Sequence, residues 1–213
     1  KVILRNVPFV KDVLTMKDLL ISLGSKVKII KEKKIIKITN NKKHKLIVPY
    51  NLVSTMRAGV LTMGPLLARY PKSKIRVALG GGCALGIRDT SWHLSGFKSL
   101  GADNTLKRGY VNIYSKNGLK GNVFKFPKVT VTGSSNLIMA SVLIKGEHII
   151  KNISIEPEVK DLIKFLNNSG AQIKFIGKRS IKIQGVNELV NGDHTIIGDR
   201  IEAFSYLCVA AIT

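Results

Sequence analysis

Three glycines, Gly24, Gly101 and Gly170, organise this sequence at intervals of roughly 70 residues, a longer period than most solenoid repeats have. Each closes an apolar-faced helical pattern and opens a β-branched run: "LLISLGSKVKII", "LSGFKSLGADNTL" and "IKFLNNSGAQIKF". Four positions before each glycine stands a large apolar residue, Leu20, Phe97 or Leu166. A glycine just past a helix takes the left-handed conformation that a Cβ penalises, so each marks a helix stop. In the third copy Pro157 marks the helix start, and Glu156 and Glu158 suit its positive end. Val159, Leu162, Ile163 and Leu166 then share one face.

A second kind of helix alternates with the first. "NLVSTMRAGVLTM" has Asn51 as an N-cap and an apolar series at Leu52, Val53, Met56, Val60 and Met63. "SSNLIMASVL" from Ser134 and "DRIEAFSYLCVAA" from Asp199 read as its counterparts, the latter placing Cys208 on a buried apolar face. The runs "KLIVP", "KIRVAL" and "HIIKNI" read as short strands. The expected fold is therefore α/β, a strand–helix–strand–helix–strand–strand unit repeated around a shared core.

Among 213 residues, 45% are hydrophobic, enough for one large domain or two small ones. No apolar run reaches the ~18–20 residues of a membrane span, and no export leader is present, so a reducing cytoplasm is expected. Two cysteines, Cys83 and Cys208, make neither a disulfide framework nor a zinc site, and no metal or cofactor is expected. The net charge of +22 has two readings. One is an anionic partner, nucleic acid included; the other is the Lys-, Ile- and Asn-rich composition seen in "KIIKEKKIIKITNNKKHK". The lysines are dispersed with few aromatics between them, which favours composition over an RNA-binding module.

The loop "ALGGGCALGIRDT" has two readings, a reactive anion-binding loop or a flexible hairpin with an incidental cysteine. Its glycines bare backbone N–H groups to an anion, and Arg88 offers a planar fork for a phosphate or carboxylate. A cysteine held there, Cys83, would have a lowered pKa. No Gly-Lys-Ser/Thr follows, which excludes a P-loop, and the spacing excludes a dinucleotide fingerprint. Elsewhere Arg57 follows Met56 near a helix start, either reaching an anion or lying in solvent. Lys128, Thr130, Thr132 and Ser134 precede a helix, gathering phosphates or, in the case of Ser134, simply capping it. Trp92 and His93 open the second-copy helix, where packing is the plainer role.

"TMRAGVLTMGPLLARY", "LGGGCALGIR", "NISIEPEVKDLIKFLNNSGAQI" and "DRIEAFSYLCVAAIT" together resemble the UDP-N-acetylglucosamine 1-carboxyvinyltransferase family of enolpyruvyl transferases, over essentially the whole chain. The sister family acting on shikimate 3-phosphate shares the repeat but generally lacks the loop cysteine. The resemblance implies an inside-out α/β barrel built from three such units with helices inside. Residues 1–197 would form most of one domain, its first repeat incomplete, and 198–213 would begin a second. The family's N-terminal Lys-Asn pair and second-domain aspartate base are not in this sequence.

The resemblance also implies the site. Cys83 is the reactive cysteine and Arg88 the arginine shared by phosphoenolpyruvate and nucleotide. Arg57 matches a sugar-nucleotide contact, and Lys128, Val129, Thr130 and Val131 match the stretch holding the uridine and diphosphate. The partners implied are phosphoenolpyruvate, UDP-N-acetylglucosamine and the remainder of the chain, with no membrane. Where the family reads Pro-Val-Asp-Leu-His, this chain reads Asp89, Thr90, Ser91, Trp92 and His93. Those positions contact the nucleotide, so a related transferase with another specificity, or an inactive paralogue, stays open. Trp92 either packs or stacks on a base.

Overall fold

The computed structural model describes residues 1–40, 43–54, 56–78 and 90–213. The chain runs through three similar units. The first holds β1 (Val2–Arg5), α1 (Lys11–Ser22), β2 (Lys26–Ile30) and β3 (Ile35–Thr39). The second holds β4 (Ile47–Val48), α2 (Tyr50–Val53), a 3-10 helix (Arg57–Thr62), α3 (Met63–Arg69), β5 (Ile75–Ala78), α4 (Ser91–Ser99), β6 (Asp103–Lys107) and β7 (Tyr110–Tyr114). The third holds β8 (Val123–Lys125), α5 (Val131–Ser141), β9 (Glu147–Lys151), α6 (Pro157–Asn168), β10 (Gln172–Gly177) and β11 (Ser180–Gln184). The strand β12 (Gly192–Thr195) and the helix α7 (Arg200–Ile212) follow.

Each unit owns one four-stranded sheet, and the three sheets share one topology. Their orders are β12-β1-β3-β2, β4-β5-β7-β6 and β8-β9-β11-β10. In each the first pair is parallel and the other two are antiparallel. β12 therefore returns from late in the chain to take the place that β4 and β8 hold in their own units. Val2 pairs with Gly192 and Arg5 with Thr195, and an Arg5–Asp193 ion pair of 2.8 Å ties the edge. The repeat is as the sequence implied, with one asymmetry: the first unit carries α1 alone, whereas the third carries two helices and the second carries α4 and a further helical stretch broken into three segments.

All three marker glycines lie at positive φ: 108° at Gly24, 90° at Gly101 and 95° at Gly170. Each closes its helix in the same way. The glycine N–H donates to Ile21, Lys98 or Asn167 O, and the next N–H donates to Leu20, Phe97 or Leu166 O. These are the paired bonds of a Schellman cap, and the apolar residue four places back supplies the carbonyl of the longer one. The periodic large residue thus has a double duty, its backbone closing the helix while its side chain enters or borders the core.

The sheets lie outside and the helices inside. α5 is the most enclosed element, with Ser134, Asn136, Ile138, Ala140 and Ser141 fully buried. Against it and its neighbours pack Leu67, Phe97 and Ile163, each worth about 1.5–3 kcal/mol on burial. Helices approach closely where side chains are absent. A Cβ on Gly64 of α3 would fall 2.3 Å from Asn136 O, and one on Gly96 of α4 would fall 3.1 Å from Leu137 Cδ2.

Three local expectations are corrected. Asn51 is not a cap: α2 starts after Pro49, and the segment to Met63 is a short helix, a break and a 3-10 helix. Pro65 explains the restart, since within a continuous helix its ring would strike the preceding turn, whereas in α3 it sits in the tolerated first turn. Nor does Ser134 cap α5, which begins at Val131 with Thr130 Oγ1 accepting from Gly133 N at 3.2 Å. Ser134 lies inside the helix and its hydroxyl donates back to Thr130 O at 2.6 Å. α7 is capped by Asp199, but none of it is buried, and Cys208, expected on a buried face, is exposed. Nothing among the described residues covers its apolar side.

Candidate active site

The site grows from two helix N-termini brought side by side. Thr90 precedes α4, and its carbonyl accepts from His93 and Leu94 N. Thr130 precedes α5 and caps it. Neither helix has an acidic residue in its first turn, so both positive ends keep their attraction for anions. His93 joins them: its Nε2 lies 3.3 Å from Thr132 Oγ1, in the first turn of α5.

The expected contact stretches fall on this junction. Lys128 and Val129 are exposed immediately before α5, Thr130 and Val131 are half-buried at its start, and Ser91 is exposed at the start of α4. Lys128 therefore adds a cation just before the N-terminus of α5. Trp92 is half-buried and packs against the core. Arg57 opens the 3-10 helix, half-buried, and that helix is fastened to α5 because Asn136 Nδ2 donates to Val60 O at 2.9 Å. Cys83, Arg88 and Asp89 lie outside the described residues. Among the described residues, no group of three His, Cys, Asp or Glu side chains is arranged to hold a metal ion.

Sequence reasoning missed the polar network beneath the site. Asn136 is fully buried in α5, where Oδ1 accepts from Gly64 N at 2.7 Å and Nδ2 lies 3.0 Å from His93 Nδ1. One signal was available: Asn136 is a lone amide in the apolar run "NLIMA".

A cavity of about 320 Å³ opens between α1 on one side and the 3-10 helix, α3 and α5 on the other. Met16, Leu20, Leu66 and Met139 line it, with His44 and Arg69 among its polar groups. Burial and the Arg69 charge hold His44 below the ordinary histidine pKa, and its Nδ1 lies 2.8 Å from Tyr70 Oη. The cavity lies beside the one helix of the first unit.

Three outer sheets wrapped about buried helices define an inside-out α/β barrel, with the N-termini of α4 and α5 meeting at His93 and Thr132. The sequence profile of the family described as EPSP synthase (3-phosphoshikimate 1-carboxyvinyltransferase) matches residues 1–213, and the chain belongs to that family. It is 47% identical over all 213 residues to a UDP-N-acetylglucosamine 1-carboxyvinyltransferase of Pelagibacter ubique, and covers 50% of that protein. A protein of the same name from Trichlorobacter lovleyi is 44% identical over 208 residues, 98% of this chain and 49% of its own. The chain thus spans about half the length of the curated relatives it matches. The fold is also that of the enolpyruvyl transferase NikO from Streptomyces tendae, at a TM-score of 0.82 and 16% identity, over 97% of this chain and 48% of that one.

Proposed function

We propose that this chain is half of an enzyme that transfers the enolpyruvyl group of phosphoenolpyruvate to the 3′-hydroxyl of UDP-N-acetylglucosamine, releasing phosphate. Such a transfer supplies a precursor for peptidoglycan. The observation that carries the reading is the pairing of the α4 and α5 N-termini through His93 and Thr132, with Lys128 exposed just before α5, in a chain similar along its entire length to proteins of that activity. Both substrates are anions, and oriented N–H groups with basic side chains stabilise them at no cost in reorganisation. Both are also cytoplasmic metabolites, so the reading carries a cytoplasmic location with it.

The reaction is addition followed by elimination. The 3′-oxygen bonds to C2 of phosphoenolpyruvate while C3 gains a proton. The C2–O bond to phosphate then breaks, C3 gives up a proton and the double bond returns. In this scheme Cys83 serves as the acid at C3 and Arg88 neutralises the phosphoenolpyruvate anion. Arg57, Thr90, Ser91, Trp92, Lys128, Val129, Thr130 and Val131 receive the sugar nucleotide, with Asp89 entering the same stretch.

Residues 1–197 form most of one domain in this reading, and 198–213 begin another. Two features support the division. Ile201, Phe204, Leu207 and Ile212 of α7 are large, apolar and exposed, which suits a helix belonging to a core of its own. The first unit has α1 alone beside an open cavity, which suits a further helix supplied by the rest of the whole protein.

The test is phosphate release from phosphoenolpyruvate by the whole protein, with either UDP-N-acetylglucosamine or shikimate 3-phosphate as acceptor. Release with the sugar nucleotide alone is expected. Release with shikimate 3-phosphate alone would reassign the substrate, and release with neither would leave an inactive paralogue.

A further inference from the structure

Asn136 decides the chemical state of His93. Its Oδ1 accepts from Gly64 N at 2.7 Å and its Nδ2 donates to Val60 O at 2.9 Å. A backbone donor and a backbone acceptor together fix which end of the amide is oxygen. The second Nδ2 hydrogen is then the one left for His93 Nδ1, 3.0 Å away. That nitrogen must accept, so the imidazole is neutral with its proton on Nε2. The Nε2–H in turn donates toward Thr132 Oγ1 at 3.3 Å. His93 is 6% exposed and Asn136 fully buried, so the pair cannot exchange its partners for water.

This network crosses every part of the described site. Val60 belongs to the 3-10 helix that opens with Arg57, His93 follows Thr90–Trp92, and Thr132 follows Lys128–Val131. A buried amide and imidazole are costly choices for a core that apolar residues could fill, unless their geometry is used. We propose that His93 and Asn136 are positioning residues for sugar-nucleotide binding: Asn136 sets the Nε2–H tautomer, and that N–H holds the α5 N-terminal turn in register with the α4 N-terminus. Affinity for the diphosphate then depends on which ring nitrogen carries the proton. The proposal rests on assigning stretches 90–92 and 128–131 to the sugar nucleotide.

Two substitutions separate the two nitrogens. His93→Asn keeps an oxygen where Nδ1 accepts from Asn136 but is too short to reach Thr132. His93→Gln places an amide N–H near the Nε2 position and loses the other end. In the whole protein, His93→Asn should raise the KM for UDP-N-acetylglucosamine about tenfold, the equivalent of one lost hydrogen bond, with kcat and the KM for phosphoenolpyruvate within about twofold. His93→Gln should restore most of that loss. Nitrogen NMR of the 15N-histidine-labelled whole protein should show an acceptor-type Nδ1 and a protonated Nε2, the signal being assigned by its loss in His93→Gln. Asn136→Asp, which has no hydrogen to donate, should move the proton to Nδ1. Equal KM values and equally lowered melting temperatures for both His93 variants would overturn the proposal in favour of packing, and so would a fall in kcat with KM unchanged. A protonated Nδ1 in the unsubstituted protein would overturn it by itself. If the protein turns over no UDP-N-acetylglucosamine while the tautomer is as stated, the functional assignment fails and the hydrogen-bond geometry stands.

Discussion

Replacing Gly64 by alanine should destabilise the fold by about 2–4 kcal/mol, against the ordinary preference of helices for alanine. In an open helix position the exchange would gain up to about 1 kcal/mol. Here the new Cβ would lie 2.3 Å from Asn136 O and 2.6 Å from Asn136 Oδ1. The first of these atoms is backbone and cannot rotate away, so α3 and α5 must separate, at an overpacking cost of about 1–3 kcal/mol. Separation also stretches the 2.7 Å bond from Gly64 N to Asn136 Oδ1, and a buried unpaired group costs about 1–3 kcal/mol more. At this chain length each kcal/mol moves Tm by about 2–4 °C, so a fall of roughly 5–15 °C is expected. Urea and thermal unfolding followed by circular dichroism measure it. Gly198→Ala is the control, because a Cβ there meets nothing within 4 Å and it should change little. If Gly64→Ala is as stable as the unsubstituted chain, the close approach of α3 to α5 is wrong.

Acid should weaken the fold through His148, which is fully buried with Nε2 against Ile144 O at 2.9 Å and whose pKa burial holds below the ordinary 6.5. Unfolded chains then bind the proton first, so stability is whole above about pH 6.5 and declines as pH falls below it, and denaturant midpoints across pH 5–8 should show a shallower decline for His148→Gln. A thiol reagent should label Cys208 of the 213-residue chain without denaturant, given its exposure, and protection of that thiol would show that α7 is covered. In the whole protein an epoxide phosphonate resembling phosphoenolpyruvate should alkylate Cys83 and spare Cys208, faster with UDP-N-acetylglucosamine present; peptide mass spectrometry showing equal labelling, or no nucleotide effect, would remove Cys83 from the chemistry. Arg88→Ala should reduce kcat/KM at least about tenfold further than Arg69→Ala, since a charged hydrogen bond to a substrate anion is worth about 1.5–3 kcal/mol and Arg69 is exposed at the cavity. Comparable losses for the two would refute that role.

What could be read from the sequence was whatever a single backbone device announces. Gly24, Gly101 and Gly170 gave the repeat because a left-handed cap needs glycine and the chain uses the same cap three times. Pro157 and the apolar face of α6 were equally plain, and Val159, Ile163 and Leu166 are buried as their spacing implied. The misreadings came where two local signals compete. "KVTVT" has the β-branched alternation of a strand, yet Thr130 turns the chain into α5 with its hydroxyl. In 51–63 an unbroken apolar series looked like one helix, but Pro65 and the packing of Gly59 on Val53 divide it. No local pattern could show β12 beside β1, since that pairing joins the two ends of the chain and depends on how all three units close around one core.

The site divides along the same line. Lys128–Val131 and Thr90–Trp92 were recognisable as stretches, but not as neighbours, because the contact between them runs through His93 and Asn136. Each of these looks ordinary alone: a histidine near a helix start and an amide in an apolar helix. Their meaning appears only when Gly64 and Val60 fix the amide, for then the amide fixes the imidazole, and a ring nitrogen at the site acquires a defined proton. The glycine that lets two helices touch is thus the first link in a chain of hydrogen bonds ending at the expected anion site. That connection makes a single substitution informative at both levels. Gly64→Ala should lower stability and, by freeing the Asn136 amide, also raise the KM for the sugar nucleotide. Asn136→Leu, which fills the same space without polar atoms, should retain more stability but raise that KM about as far. Packing alone predicts that the two effects rise and fall together. Tautomer control predicts that they part at Asn136→Leu, and a comparison of Tm with KM across the two variants decides between them.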